Sequence, residues 1–137
     1  MTPPPTNLDD AALRNMLIGA GLRPTSQRMA LARLLFGGPH RHATAADLHV
    51  EAADAGHRVS VATVYNTLGQ LVAAGLLREV QVDNDRTYFD TNTARHCHIF
   101  DVDEGTLTDA PLPRMTPPEL DGAEIVDVDV IFRVRRA

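Results

Sequence analysis

Lysine and tryptophan are missing from this chain of 137 residues, and cysteine occurs once, at position 97. A lone thiol cannot close an internal disulfide or build a four-cysteine zinc site, and it fits a reducing cytoplasm. No apolar run approaches the roughly 20 residues of a membrane span, so no membrane partner is expected. The opening Met1-Thr-Pro-Pro-Pro-Thr-Asn7 lacks a basic segment followed by an apolar one, so no secretory signal is expected. A nucleotide-binding glycine loop, a nucleophile elbow and a zinc-protease H-E-x-x-H are absent too, which argues against the common enzyme classes. With 44% hydrophobic and 23% charged residues, the composition is that of a globular domain or two small ones.

Net charge is −5, the wrong sign for a nucleic-acid binder taken as a whole. Its distribution leaves the matter open. Residues 1–90 hold 8 Arg against 9 acids, whereas residues 91–137 hold 5 Arg against 9 acids. The first half is near neutral and can carry a local basic face. The acidic second half suits a cation.

Capping signals divide the first half into four helices. Asn7 with Asp9 and Asp10 opens one that runs through Leu13, Met16 and Leu17 to Gly19-Ala20-Gly21. Thr25 caps a second, ended by Gly37-Gly38-Pro39. Thr44 caps a third over 45–55, and Ser60 a fourth over 61–74, stopped by Gly56 and Gly75 respectively. Period-two segments then begin. Leu76–Val82 and Arg86–Asp90 flank the turn Asp83-Asn84-Asp85 and form a hairpin. Helices followed by a hairpin predict a winged helix-turn-helix.

The expected fold class is therefore α+β: a winged-helix domain over 1–90, a polar linker over 91–94, and a small α/β dimerisation domain over 95–137. In the second domain we expect strands over 96–102, 106–109 and 123–135, with a proline-rich crossover that leaves room for little helix. Val126, Val128, Val130 and Phe132 alternate with polar residues on the last strand and form one apolar face, which calls for a partner surface.

In the fourth helix, Val61, Val64, Tyr65 and Leu68 make an apolar stripe at i, i+3, i+4 and i+7. Thr63, Asn66, Thr67 and Gln70 line another face. No charged residue occurs from Ser60 to Leu77, so no carboxylate repels phosphate, and amide and hydroxyl groups can read base edges. Seen alone, the same pattern fits an ordinary amphipathic helix. The flanking helix and hairpin favour DNA.

Two of the six histidines and the only cysteine sit together in Arg95-His96-Cys97-His98. On a strand His96 and His98 share a face, with Cα atoms roughly 6–7 Å apart, and Cys97 points the other way. That pair can bind one metal ion if further ligands arrive from elsewhere, or it can be two exposed strand residues.

Gly21-Leu-Arg-Pro-Thr-Ser-Gln-Arg28, His42-Ala-Thr-Ala-Ala-Asp-Leu48, Ser60-Val-Ala-Thr-Val-Tyr-Asn-Thr-Leu68 and Ala74-Gly-Leu-Leu77 resemble the ferric uptake regulator family over most of the chain. Within the family the chain is most similar to the iron response regulator branch, on Arg23-Pro-Thr-Ser-Gln-Arg-Met-Ala-Leu31, Ser60–Leu68 and Thr87-Tyr-Phe-Asp-Thr-Asn92. The resemblance implies a homodimeric regulator binding an A·T-rich palindromic operator in double-stranded DNA. It implies DNA contacts by Tyr65 and Asn66 in the major groove, Arg23 in the minor groove, and Ser60 and Thr63. It further implies one regulatory site for Fe²⁺, Mn²⁺ or Zn²⁺ built from His42, Asp90, His96 and His98. Where many members carry a structural-zinc C-x-x-C, this chain has Asp101 and Glu104, so no structural zinc is expected. The branch also links this strand to haem, which leaves His96, Cys97 and His98 as candidate haem ligands. The function these residues imply is metal- or haem-responsive control of iron homeostasis. The alternatives are peroxide sensing by His/Asp-bound iron, a metalloenzyme, or a winged helix that binds protein.

Overall fold

The computed structural model describes residues 4–136, and they divide after Ala94 into two units. In the first, α1 (Asp10–Gly19), α2 (Ser26–Phe36), α3 (Ala45–Asp54) and α4 (Val61–Ala73) each begin at a residue whose side chain accepts a free backbone N–H of the first turn. Thr25, Thr44 and Ser60 are three of those caps, as expected. Thr44 and Asp47 bond each other's backbone in a full capping box. The first helix differs: Asp9, not Asn7, accepts from Ala12 N at 2.9 Å, and Asn7 lies at φ 56. An Asn tolerates that left-handed conformation better than most residues, so here it turns the chain ahead of the helix.

The core of this unit is aliphatic. Leu13 and Leu17 of α1 pack with Leu31, Leu35 and Phe36 of α2, Leu48 of α3, and Val64, Leu68 and Leu71 of α4. On α4 the buried positions are Val64, Thr67, Leu68 and Leu71, not the stripe that begins at Val61. The inward face is thus turned by about 60° from the expected one, since three residues advance a helix by roughly 300°. Val61 and Tyr65 are 53% and 59% exposed, while Thr67 lies in the interior instead of on the polar face.

Three strands close the unit: β1 (His42–Ala43), β2 (Arg78–Gln81) and β3 (Thr87–Asp90), in the order β1-β3-β2. The β2–β3 hairpin is the expected wing. β1 was not expected, because a two-residue strand shows no periodicity. It pairs antiparallel with β3, setting His42 opposite Asp90 and Ala43 opposite Phe89. Ala43 and Phe89 join the core, so His42 and Asp90 project together from the other face.

The second unit is a three-stranded sheet in the order β5-β4-β6: β4 (Cys97–Asp101), β5 (Thr106–Ala110) and β6 (Ile131–Val134). β5 runs antiparallel and β6 parallel to β4. Phe100 and Leu107, register partners, are buried. The last strand is far shorter than its sequence pattern. Residues 123–130 carry the alternation but precede the strand, which begins where Val130 O accepts from His98 N at 3.1 Å; alternation alone does not make a strand. Ile125, Val126, Val128, Phe132 and Val134 are exposed, Val126 at 89%.

Asp101 caps the β4–β5 turn, and Glu104 lies within it. Asp101 is buried and accepts from the backbone N–H groups of Asp103 and Glu104 at 3.0 Å each, and from Arg136 Nε at 3.0 Å. The Glu104 N–H, then the Arg136 guanidinium, hold its carboxyl below the ordinary range.

Two outcomes follow for stability. The Thr67 hydroxyl is buried with no hydrogen-bond partner among the described residues, and leaving it so costs free energy that an aliphatic residue of similar shape avoids. Thr67→Val should raise stability by about 1 kcal/mol, read as a higher urea midpoint at unchanged slope. Asp101 has a depressed folded pKa, so its contribution is complete above the unfolded value of about 3.9 and is lost as pH falls through the folded one. Thermal melts from neutral pH down to below 4 should fall less steeply in Asp101→Asn than in wild type.

Candidate metal centre and nucleic-acid interface

Side-chain alternation on β4 turns His96, just ahead of the strand, and His98 to one face. Their Nε2 atoms are 3.0 Å apart, with the rings edge to face. The register of the β4–β5 hairpin places Asp109 directly opposite His98. Asp109 Oδ1 is 3.4 Å from each Nε2. His98 is buried, whereas Asp109 is exposed.

Those three spacings suit one ion. Donors bound at about 2.1 Å lie roughly 3.0 Å apart on an octahedral edge and roughly 3.4 Å apart on a tetrahedral one. Two imidazoles and a carboxylate form a donor set for Fe²⁺, Mn²⁺ or Zn²⁺. The residues therefore fit a divalent ion. The two rings are also within hydrogen-bonding distance of each other.

The first unit contains a second cross-strand pair of the same composition, His42 opposite Asp90. Asp90 is buried, and its Oδ1 accepts from Asn92 N at 2.9 Å. Asn92 Oδ1 in turn accepts from Ala94 N at 3.2 Å, so the segment after β3 is a run of two side-chain-closed turns. The His42 ring packs edge-on against Tyr88, the residue two before Asp90 and on the same face.

Cys97 lies across the strand from the imidazole pair. It is buried, and its thiol donates to the Pro111 carbonyl at 3.3 Å. Asp109 is the donor that sequence reasoning overlooked. Its signal was topological: once the turn at 103–105 is fixed, counting back along the hairpin brings position 109 to His98.

On α4, Tyr65, Asn66 and Gln70 are exposed and Thr63 is half-buried. Ser60 works as the helix cap, accepting from Thr63 N at 3.1 Å and donating its hydroxyl to Thr63 Oγ1 at 2.9 Å. Arg23 is exposed in the loop before α2, and its carbonyl accepts from Arg28 Nη1 at 3.2 Å. An uncharged amide-and-phenol face with arginine on a preceding loop can meet base edges and phosphates respectively.

Comparison with known proteins gives a consistent relationship. The sequence profile of the ferric uptake regulator family matches residues 19–124. The peroxide-responsive repressor PerR of Staphylococcus aureus (strain Mu50) is 32% identical over 111 residues, which cover 81% of this chain and 74% of that protein. The structure of the ferric uptake regulator from Pseudomonas aeruginosa with manganese superposes with a TM-score of 0.64 at 27% identity, covering 94% of this chain and 98% of that one. The ferric uptake regulator of Vibrio cholerae gives a TM-score of 0.69 at 19% identity, covering 90% and 98%, a likeness of fold.

Removing a first donor should weaken the ion more than removing an outer partner, which costs 10- to 100-fold in comparable sites. Asp109→Asn should therefore lower Mn²⁺ affinity by at least about tenfold in calorimetric titration. Equal affinity in the variant would remove Asp109 from the centre.

Proposed function

The chain belongs to the ferric uptake regulator family, whose members are metal-responsive, dimeric, DNA-binding transcription regulators and not enzymes, and on that premise we propose that it controls iron homeostasis through one regulatory divalent ion. The observation that carries this reading is the convergence of His96, His98 and Asp109 at the spacing of a coordination sphere. Asp90 and His42 are the donors we assign to the first unit. A divalent ion on such donors would favour the conformation in which they are best placed. Ligation of that kind lets metal select one conformation of the regulator.

The roles of the chain's own residues follow. The imidazole nitrogens and carboxylate oxygens would offer lone pairs, and a bound ion would supply the charge that holds them together. Cys97 faces away and is occupied by Pro111 O, which supports an ion in preference to a Cys97-ligated haem as effector. Tyr65 and Asn66 meet the major groove of an A·T-rich palindromic operator, with Ser60 and Thr63 beside them and Arg23 in the minor groove, where narrow A·T tracts concentrate negative potential. The exposed apolar residues between Ile125 and Val134 are the surface we assign to the dimer. No helix among the described residues is long and apolar enough to cross a membrane, and a cytoplasmic location fits the single thiol.

A second reading is favoured by the relatives that are named peroxide-responsive repressors. In it, the same histidines and aspartates would hold Fe²⁺, which would supply the redox chemistry for peroxide to oxidise a ligand imidazole.

DNA binding by apo, Mn²⁺-, Fe²⁺- and haem-loaded protein, measured by gel shift on a palindromic A·T-rich duplex, tests the proposal. Mn²⁺ or Fe²⁺ should change affinity at least about tenfold, the size of an ordinary allosteric coupling. Tyr65→Ala should lose specific binding while the dimer persists. Affinity indifferent to every metal sinks the metal-responsive reading. Mass spectrometry of the Fe²⁺ form after peroxide exposure separates the two versions: a one-oxygen adduct on His42 or His96 selects the peroxide sensor.

A further inference from the structure

A two-residue strand cannot hold its own register, and a slip of one residue would turn His42 to the opposite face from Asp90. Something outside β1 must fix it. On the core side this is Ala43 against Phe89. On the other side it is Thr91. We propose that Thr91 is a positioning residue for metal binding, one that holds His42 opposite Asp90 by clamping the backbone of Arg41. The inference rests on the metal-centre reading above.

Thr91 is fully buried. Its N–H donates to Arg41 O at 2.9 Å. Its hydroxyl oxygen accepts from Arg41 N at 2.9 Å and lies 3.2 Å from Arg41 O. His40 Nδ1 approaches the same oxygen at 3.2 Å. Threonine thus continues the β1–β3 ladder by one rung, with a side-chain oxygen in the place of a backbone carbonyl.

Arg41 is itself anchored. Its guanidinium makes two 2.8 Å bonds to the Glu51 carboxylate on α3 and a 3.2 Å bond to Leu34 O on α2. A planar fork of this kind restrains orientation as well as distance. The residue immediately before His42 is therefore fixed on one side by two helices and on the other by Thr91, the residue immediately after Asp90. None of these groups offers the ion a donor atom. Their effect is to present two candidate ligands already in place, and such outer partners typically change metal affinity 10- to 100-fold.

The test is Mn²⁺ titration of the full chain by calorimetry, with the Mn²⁺ EPR spectrum and the apo thermal melt recorded on the same samples. Thr91→Val keeps the shape and removes the hydroxyl. It should weaken Mn²⁺ about tenfold and broaden the spectrum, and Thr91→Ser should recover most of the affinity. Glu51→Gln, which loosens Arg41 from α3 and leaves Thr91 untouched, should weaken Mn²⁺ in the same direction and serves if Thr91→Val does not fold. A lowered melting temperature with wild-type Mn²⁺ affinity, in Thr91→Val or in Glu51→Gln if that variant alone folds, overturns the proposal, because Thr91 is then only structural. Failure of Thr91→Ser to improve on Thr91→Val overturns it as well. Asp90→Asn separates the two levels. If it binds Mn²⁺ weakly while Thr91→Val binds normally, the clamp alone is wrong; if Asp90→Asn binds like wild type, Asp90 is no ligand and the clamp falls with that assignment.

Discussion

Antiparallel register is the constraint on which the candidate chemistry depends. Residues directly opposite each other in such a ladder share a face, with Cβ atoms about 5 Å apart. This chain uses that geometry twice, setting His42 against Asp90 in the first unit and His98 against Asp109 in the second. His96, two residues before His98, joins its own unit's pair through strand alternation. Five candidate donors are thus placed by two ladders. The rest of each unit serves to keep those registers: the aliphatic core beneath Ala43 and Phe89, the Arg41–Glu51 fork, and the Asp101-capped turn that joins β4 to β5.

How legible this was in the sequence depended on the range of the interaction concerned. Thr25, Thr44 and Ser60 could be read as caps because a cap is made within one helical turn. The wing hairpin could be read because its turn and both strands are contiguous. β1 could not, since two residues carry no period and its partner lies nearly fifty positions away. Asp109 was missed for the same reason: its role comes from pairing across a turn. Residues 123–130 failed in the opposite sense. They carry the alternation of a strand, but a strand also needs a neighbour with free hydrogen-bonding groups, and the ladder on β4 spans Ile131–Val134.

The fourth helix shows how a correct element can carry a wrong face. Val61 and Tyr65 fit an apolar stripe as well as Leu71 does, and pattern alone cannot choose between stripes that overlap at Val64 and Leu68. Packing chooses Val64, Thr67, Leu68 and Leu71. The result frees Tyr65 for the surface while burying a threonine hydroxyl that finds no partner among the described residues. The exposed face then carries a phenol beside the amides of Asn66 and Gln70, with no charge along the helix, so it offers hydrogen-bonding groups without a cation.

The turns closed by Asp90 and Asn92 have an entropic consequence. Fixing a backbone residue costs roughly 1–2 kcal/mol in lost conformational freedom. Here positions 90–94 are already closed by turns at Asp90 Oδ1 and Asn92 Oδ1 and tied to Arg41 by Thr91 Oγ1. A carboxylate that both closes its own turn and faces a histidine can receive a cation with little further ordering of the chain around it. Binding at Asp90 should then show a small entropy loss from the backbone, leaving its thermodynamic signature to desolvation of the ion and release of protons.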